Sequence, residues 1–255
     1  TTASDNVAVG NAALKANTQG TDNVAVGSGA LTTFNYTSAA DTWNVAVGKD
    51  ALGDLTTGTQ NTALGGKALD AATTSSNNVA VGYKALLLNT TGTNNTAVGT
   101  LALDANTTAD DNTAIGTSAL STNTTGVNNT GIGSQALLVN TTGSYNTAVG
   151  KSALDAHTTG ASNTAMGHAA LHTNTTAANN VGVGAVALGA NTTGDNNIGI
   201  GYYALGANTT GADNVAIGKE ALDANTTASY GVAIGSGALG ANTTGAYNVG
   251  VGFKA

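Results

Sequence analysis

Residues 146–162 read NTAVGKSALDAHTTGAS, and copies of this pattern return every 17 residues through the whole 255-residue chain. Each copy is called a coil below, with positions counted from the asparagine that corresponds to Asn146. The spacing breaks once, where four extra residues enter between Gly27 and Gly48. The glycine at position 5 is present in every copy: Gly10, Gly27, Gly48, Gly65, Gly82, Gly99, Gly116, Gly133, Gly150, Gly167, Gly184, Gly201, Gly218, Gly235 and Gly252. A fixed period of this length is typical of a solenoid, in which neighbouring repeats bury each other's faces.

The composition restricts both the fold and the partners. The chain has 7 basic and 14 acidic residues, a formal charge of -7, and neither cysteine nor proline. Disulfides therefore play no part, and backbone ladders and small apolar side chains must hold the chain together. A nucleic-acid partner is not expected, because phosphate binding needs clustered lysine and arginine. No stretch is apolar enough to span a membrane as a helix.

The Asn-x-Ala-Val-Gly block at positions 1–5 predicts a short β-strand. Positions 2 and 4 carry Val, Ile, Thr, Leu or Met and share one face, while position 3 is always Ala or Gly and faces the other way. Close packing of that small-residue face has two explanations: three parallel chains meeting there, or the two walls of one coil. A second strand is expected through the Ala-Leu pair at positions 8 and 9 and into the Asn-Thr-Thr segment.

A helical alternative fails because glycine recurs too often among Thr and Asn, which are poor helix formers. We therefore expect an all-β fold, a parallel β-solenoid or β-roll of about fifteen 17-residue coils. The array is continuous over residues 1–255, with its insertion at about residues 38–41. Both ends of the sequence fall inside a repeat, so a fragment of a longer array is expected, and joining of rods end to end into a filament is the structural alternative.

The repeats resemble a known family. Asn6–Gly10 and Asn112–Gly116 are similar to the head repeats of trimeric autotransporter adhesins, and the longer unit Asn146–Gly160 is similar to repeats of phage and prophage tail fibres. The resemblance implies a left-handed β-roll, a homotrimer and an extended extracellular fibre on a cell or virion surface, with no catalytic residues. It gives a structural role to the repeated residues, which in the quoted copy are Asn146, Val149, Gly150, Ala153, Leu154 and Gly160.

The insertion is the best candidate for ligand binding, because loops on a rigid scaffold often carry binding residues. Phe34, Tyr36 and Trp43 surround it, and aromatic side chains are common anchors for proteins or sugars. A binding module for a host-surface glycan or protein is therefore the alternative to a purely structural fibre. The competing interpretation is a tolerated surface bulge whose aromatics cover the edge of a coil.

The remaining motifs have structural explanations. Paired threonines form rows that suggest ice binding, although only one threonine per coil should point outward. Asn-Thr-Thr triplets fit the glycosylation pattern, but the repeat supplies them as turns. His157, His168 and His172 are expected to be surface substitutions, and Asp110-Asp111 lacks the alternation of a calcium loop. No metal, no cofactor and no catalytic group is expected.

Overall fold

The computed structural model describes residues 3–37 and 40–255, and these residues form two compact units, one up to Asn128 and one from Asn129 to Ala255. The described residues contain no helix, and their regular structure consists of strands two or three residues long. The first unit contains β1 (Val7–Val9), β2 (Gly20–Thr21), β3 (Val24–Val26), β4 (Ala40–Asp41), β5 (Val45–Val47), β6 (Thr62–Leu64), β7 (Val79–Val81), β8 (Thr96–Val98) and β9 (Thr113–Ile115). The second unit contains β10 (Thr130–Ile132), β11 (Thr147–Val149), β12 (Thr164–Met166), β13 (Val181–Val183), β14 (Ile198–Ile200), β15 (Val215–Ile217), β16 (Val232–Ile234) and β17 (Val249–Val251).

Each three-residue strand spans positions 2–4, and within each unit successive strands pair in parallel at the same positions. Ala148 of β11, for example, is in register with Ala165 of β12, and Val149 with Met166. The pairing continues in this way from β10 to β17 in the second unit and from β3 through β5 to β9 in the first. The predicted parallel β-solenoid is therefore confirmed.

The second strand, predicted through the Ala-Leu pair, is wrong. Leu154 has a φ of 52° and Ser152, two residues earlier, a φ of 55°, values that a β-strand excludes. The segment is a pair of turns, closed by Ala153 N–H donating to Gly150 O at 3.3 Å and His157 N–H donating to Leu154 O at 3.2 Å. The coils still bond to each other here, because Leu154 N–H donates to Ala170 O at 3.1 Å.

Glycine at position 5 is required by its backbone. Gly150 has a φ of 136°, and a Cβ built on it would lie 2.5 Å from the carbonyl oxygen of Gly167 in the next coil. Both the conformation and the space therefore exclude other residues. This glycine ends the strand and starts the first turn in each coil.

Small residues at position 3 face the interior of the coil and pack on leucine. Ala148, Ala153 and Leu154 are all completely buried. A Cβ built on Gly182, at position 3, would lie 3.2 Å from Cγ of Leu171 in the preceding coil. Of the two explanations for the small-residue face, the structure supports the second, close packing inside the chain, and the contact runs from the strand of one coil to the leucine of the coil before it.

Two rows of buried asparagine, at positions 1 and 12, hold the coils in register. In one coil, Asn197 Nδ2 and Asn208 Nδ2 both donate to the carbonyl oxygen of Gly211, at 2.8 and 2.9 Å. We call this arrangement the asparagine clasp. Between coils, Asn208 Nδ2 also donates to Asn191 Oδ1 at 2.9 Å, and the backbone N–H of Asn214 donates to Asn197 Oδ1 at 3.0 Å. These bonds satisfy buried polar groups that the narrow core otherwise leaves unpaired.

The insertion adds a small ladder beside the coils. Gly20 of β2 pairs in parallel with Ala40 of β4, and Thr42 Oγ1 donates to Asn23 Oδ1 at 2.9 Å. Ser38 and Ala39, the first half of the predicted insertion, lie outside the described residues.

Candidate functional site

The side chains at positions 2 and 4 point away from the core and form an apolar surface, here called the outward face. Position 4 carries a large apolar residue in every described coil, and these side chains are partly or largely exposed: Met166 is 45 % exposed and Ile234 41 %. Large apolar side chains that remain this exposed in a repeating row are unusual on a soluble monomer.

The outward face carries no charge within the strands. In the second unit its position 4 residues are Ile132, Val149, Met166, Val183, Ile200, Ile217, Ile234 and Val251, and its position 2 residues are Thr130, Thr147, Thr164, Val181, Ile198, Val215, Val232 and Val249. In-register pairing puts each side chain beside its equivalent in the next coil, at the strand spacing of about 4.8 Å. The result is two parallel rows of methyl-bearing side chains.

Another row of exposed side chains, separate from the outward face, lies at position 17, just before each strand. Its residues have φ values near 60°, which suits the asparagine and aspartate found at many copies. Three copies instead carry exposed tyrosine: Tyr145, Tyr230 and Tyr247. The rings of Tyr230 and Tyr247 stack with centroids 5.0 Å apart, as expected for equivalent side chains of adjacent coils.

The three aromatic residues predicted to bind a ligand lie in different environments. Phe34 is completely buried at position 12, where other coils carry asparagine, and its Cε1 would be 2.6 Å from a Cβ built on Gly20. Tyr36 is half-buried and stacks on Phe34 with ring centroids 6.3 Å apart. Trp43 is 52 % exposed at position 17. Ring contacts of the described residues join Phe34 to Tyr36 but not to Trp43, so the predicted ligand-binding set does not form one exposed cluster.

The prediction for the histidines is wrong for one of the three. His157 is completely buried at position 12, where its Nε2 lies 2.8 Å from Gly160 O. His168 and His172 are exposed, and His172 Nδ1 pairs with a carboxylate oxygen of Asp155. His157 thus replaces a clasp asparagine, an equivalence that alignment of the repeats at position 12 would have revealed.

The threonine and Asn-Thr-Thr rows have structural roles in the folded chain. The hydroxyl at position 13 donates to the next coil's backbone, as Thr209 Oγ1 does to Thr226 O at 2.9 Å. Thr210, at position 14, is exposed, so each regular coil presents one outward threonine here. The triplet asparagines Asn89, Asn106, Asn123, Asn140, Asn174, Asn191, Asn208 and Asn225 are completely buried, which leaves no access for a glycan there, and Asn208 shows the clasp contact of the Nδ2 group.

Within residues 3–37 and 40–255, no three His, Asp or Glu side chains come together in a group that could hold a metal ion. No helix among those residues has the length and apolarity to span a membrane. Asp155 is an acidic side chain that is partly buried. Burial raises the pKa of the Asp155 carboxyl, and the neighbouring His172 opposes that shift.

Comparison with known proteins finds no family model that matches the chain and no matching curated protein.

Proposed function

We propose that this chain is a structural and adhesive segment of an extracellular fibre, the shaft or head of a surface adhesin, a tail fibre or a filament. The repeat's resemblance to adhesin heads and tail fibres adds a left-handed β-roll, a homotrimer and a location on a cell or virion surface to the proposal. Its mechanism is rigid spacing combined with many weak surface contacts.

The observation that carries the proposal is the outward face. Apolar rows that stay exposed along successive coils favour burial against another protein surface. Covering the exposed part of one position 4 side chain contributes about 1 kcal/mol, and the contribution repeats with every coil. Self-association through this face would therefore add to the stability that the narrow core, built mainly from alanine and leucine, supplies.

Charge on the outward face tests the proposal. The variant Ile200→Lys, Ile217→Lys, Ile234→Lys places three charges on three successive coils of the second unit. The control variant Thr193→Lys, Thr210→Lys, Thr227→Lys adds the same charges to the exposed position 14 row of the same unit. Light scattering of the native chain should give three times the monomer mass, and only the outward-face variant should become monomeric, with an unchanged β-sheet circular dichroism spectrum.

A monomeric native chain across the concentration range would contradict self-association, and equal behaviour of the two lysine variants would show that the outward face is not the interface. The fibre role itself is tested separately, by electron microscopy of the native material.

The alternative proposal is a binding module for a surface glycan or protein that uses Tyr36 and Trp43, the accessible aromatics of the insertion. The 52 % exposure of Trp43, which follows strand β4 of the added ladder, supports a binding role for this side chain. The isolated chain should then bind host surfaces, and Trp43→Ala should abolish that binding. A spacer should show no such binding with either sequence.

A further inference from the structure

His157 occupies a position that the fold fills with asparagine in most coils. In regular coils the position 12 asparagine uses its amide in two ways, as Asn208 shows: Nδ2 donates to the Gly211 carbonyl within the coil, and Oδ1 accepts from Asn225 in the next coil at 3.0 Å. An imidazole that replaces this amide must therefore offer one donor and one acceptor in similar places.

Neutral imidazole meets that requirement. A carbonyl oxygen can only accept, so the contact between His157 Nε2 and Gly160 O at 2.8 Å assigns the proton to Nε2. Nδ1 is then the acceptor nitrogen, and it is buried without a hydrogen-bond partner. The Nδ2 group of Asn174, the position 12 residue of the following coil, is also buried without a partner.

The fold disfavours a second proton on the ring. It would have to sit on Nδ1, on the side where the following coil contributes the Asn174 amide. Turning that amide to present its oxygen would break the bond that Asn174 Oδ1 accepts from Ala177 N–H at 3.1 Å. Burial lowers the pKa of His157, and its contacts with Gly160 and Asn174 offset only part of that effect.

Few charges surround this site. Residues 129–179, which hold His157 and the coils on either side, contain five other titratable side chains: Tyr145, Lys151, Asp155, His168 and His172. Tyr145 and Lys151 are exposed, as is His168, and Asp155 pairs with His172. Asp155 is the one carboxylate in these coils, and it is partly buried and engaged by His172, so it is not free to stabilise an imidazolium at position 12.

We propose that His157 makes coil 146–162 sensitive to acid. Protonation of Nδ1 breaks the row of side chains at position 12 and opens this coil before its neighbours. The effect has a defined direction. Since the folded state disfavours the protonated ring, stability is fully present above the ordinary histidine pKa of about 6.5 and is lost as pH falls below it. The proposal does not depend on the fibre function.

Hydrogen exchange of the full chain tests the proposal. Peptides covering residues 146–179 should exchange at least about tenfold faster at about pH 5 than at about pH 7.5, after correction for intrinsic exchange. Peptides from residues 197–230, where position 12 is asparagine, should not change. His157→Asn restores the regular clasp and should abolish the acid effect without loss of folding.

Two further results decide the matter. His172→Asn removes the partly buried pair with Asp155 and should leave the acid effect intact. If His172→Asn abolishes the effect, or if His157→Asn retains it, the sensitivity does not arise from the buried imidazole and the proposal is overturned. Equal protection of native residues 146–179 at both pH values overturns it as well.

Discussion

Asn197 and Asn208, at positions 1 and 12 of one coil, both donate through Nδ2 to the carbonyl oxygen of Gly211. The clasp fixes the two halves of the coil relative to each other with side chains that also bond to adjacent coils. Three successive coils lack the position 12 asparagine and carry buried Phe34, Leu55 and Ala72 instead. The asparagines are replaced in neighbouring coils together because removing both partners of a buried hydrogen bond costs far less stability than removing one.

Breaking the row at a single coil should therefore be costly. Asn208→Leu removes the amide that donates to Asn191 Oδ1 and accepts from Asn225 Nδ2. Because both partners stay buried, we expect a loss of about 2–4 kcal/mol of stability in that region. Thr210→Leu, on the exposed position 14, is the matched control and should change stability by less than about 0.5 kcal/mol. Thermal unfolding followed by circular dichroism measures both. Similar midpoints for the two variants would refute a structural role for the row.

Adjacent glycines Gly65 and Gly66 should respond differently to alanine. Gly65 has a φ of 140° and its Cβ would collide with the Gly82 carbonyl, whereas the nearest atom to a Cβ on Gly66 is 3.6 Å away, an ordinary contact. We expect Gly65→Ala to cost more than about 2 kcal/mol and Gly66→Ala to be neutral or slightly stabilising. The comparison uses chemical denaturation. A Gly65→Ala variant as stable as the native chain would show that the turn tolerates other backbone conformations.

Val186 offers a stabilising substitution. It is a β-branched residue with a φ of 54°, a conformation that other coils satisfy with Gly29 or Gly237 at the same position. Val186→Asn should relieve this strain and raise stability by about 0.5–1 kcal/mol, since asparagine tolerates positive φ. Val183→Asn, in strand β13, should give no such gain. The unfolding midpoints rank the three proteins, and a lower midpoint for Val186→Asn than for the native chain contradicts the strain argument.

Asp104 should destabilise the fold at neutral pH. Desolvation raises the pKa of its carboxyl, partly opposed by backbone and Ser121 hydrogen bonds and by Lys84. A raised pKa means that the stability contribution is fully present below the ordinary value of about 3.8 and is lost as pH rises through the folded value. Asp104→Asn should accordingly raise the thermal midpoint at about pH 7 and have little effect at about pH 3.

Asp70 is the control for that prediction, because it occupies the same position in another coil but bonds to Lys67 Nζ at 3.0 Å. Asp70→Asn should lower stability slightly at neutral pH, as loss of a partly exposed ion pair does. If both substitutions shift the midpoint in the same direction, desolvation is not what distinguishes Asp104.

The strand and its register were predictable because they rest on strict repetition. Equivalent residues such as Ala148 and Ala165 have no other low-energy way to pair than directly beside each other. The turn at Leu154 was not predictable from residue preferences, which place leucine in helices and strands, not at positive φ. Its conformation follows from the coil, which buries the leucine side chain completely and bonds its N–H to the next coil.

Residue preferences alone also do not predict the outward face. The sequence shows that Thr147 and Val149 share a face, but not which side of the strand faces the core. The deciding signal is the size of position 3: a coil this narrow admits only alanine or glycine beside Leu154, which turns the larger side chains outward. Phe34 stands out in the sequence as an aromatic residue beside the insertion, but the 17-residue phase places it on the buried position 12.

The in-register bonding of one coil to the next also bears on how such a gene evolves. Each interior coil presents nearly the same donors and acceptors on both sides, so deleting or duplicating one whole copy rejoins surfaces that already match. Unequal recombination between near-identical repeats would then change the number of copies while keeping every junction intact. The number of coils is consequently a trait that selection can adjust in single steps, independently of the residues that build each one.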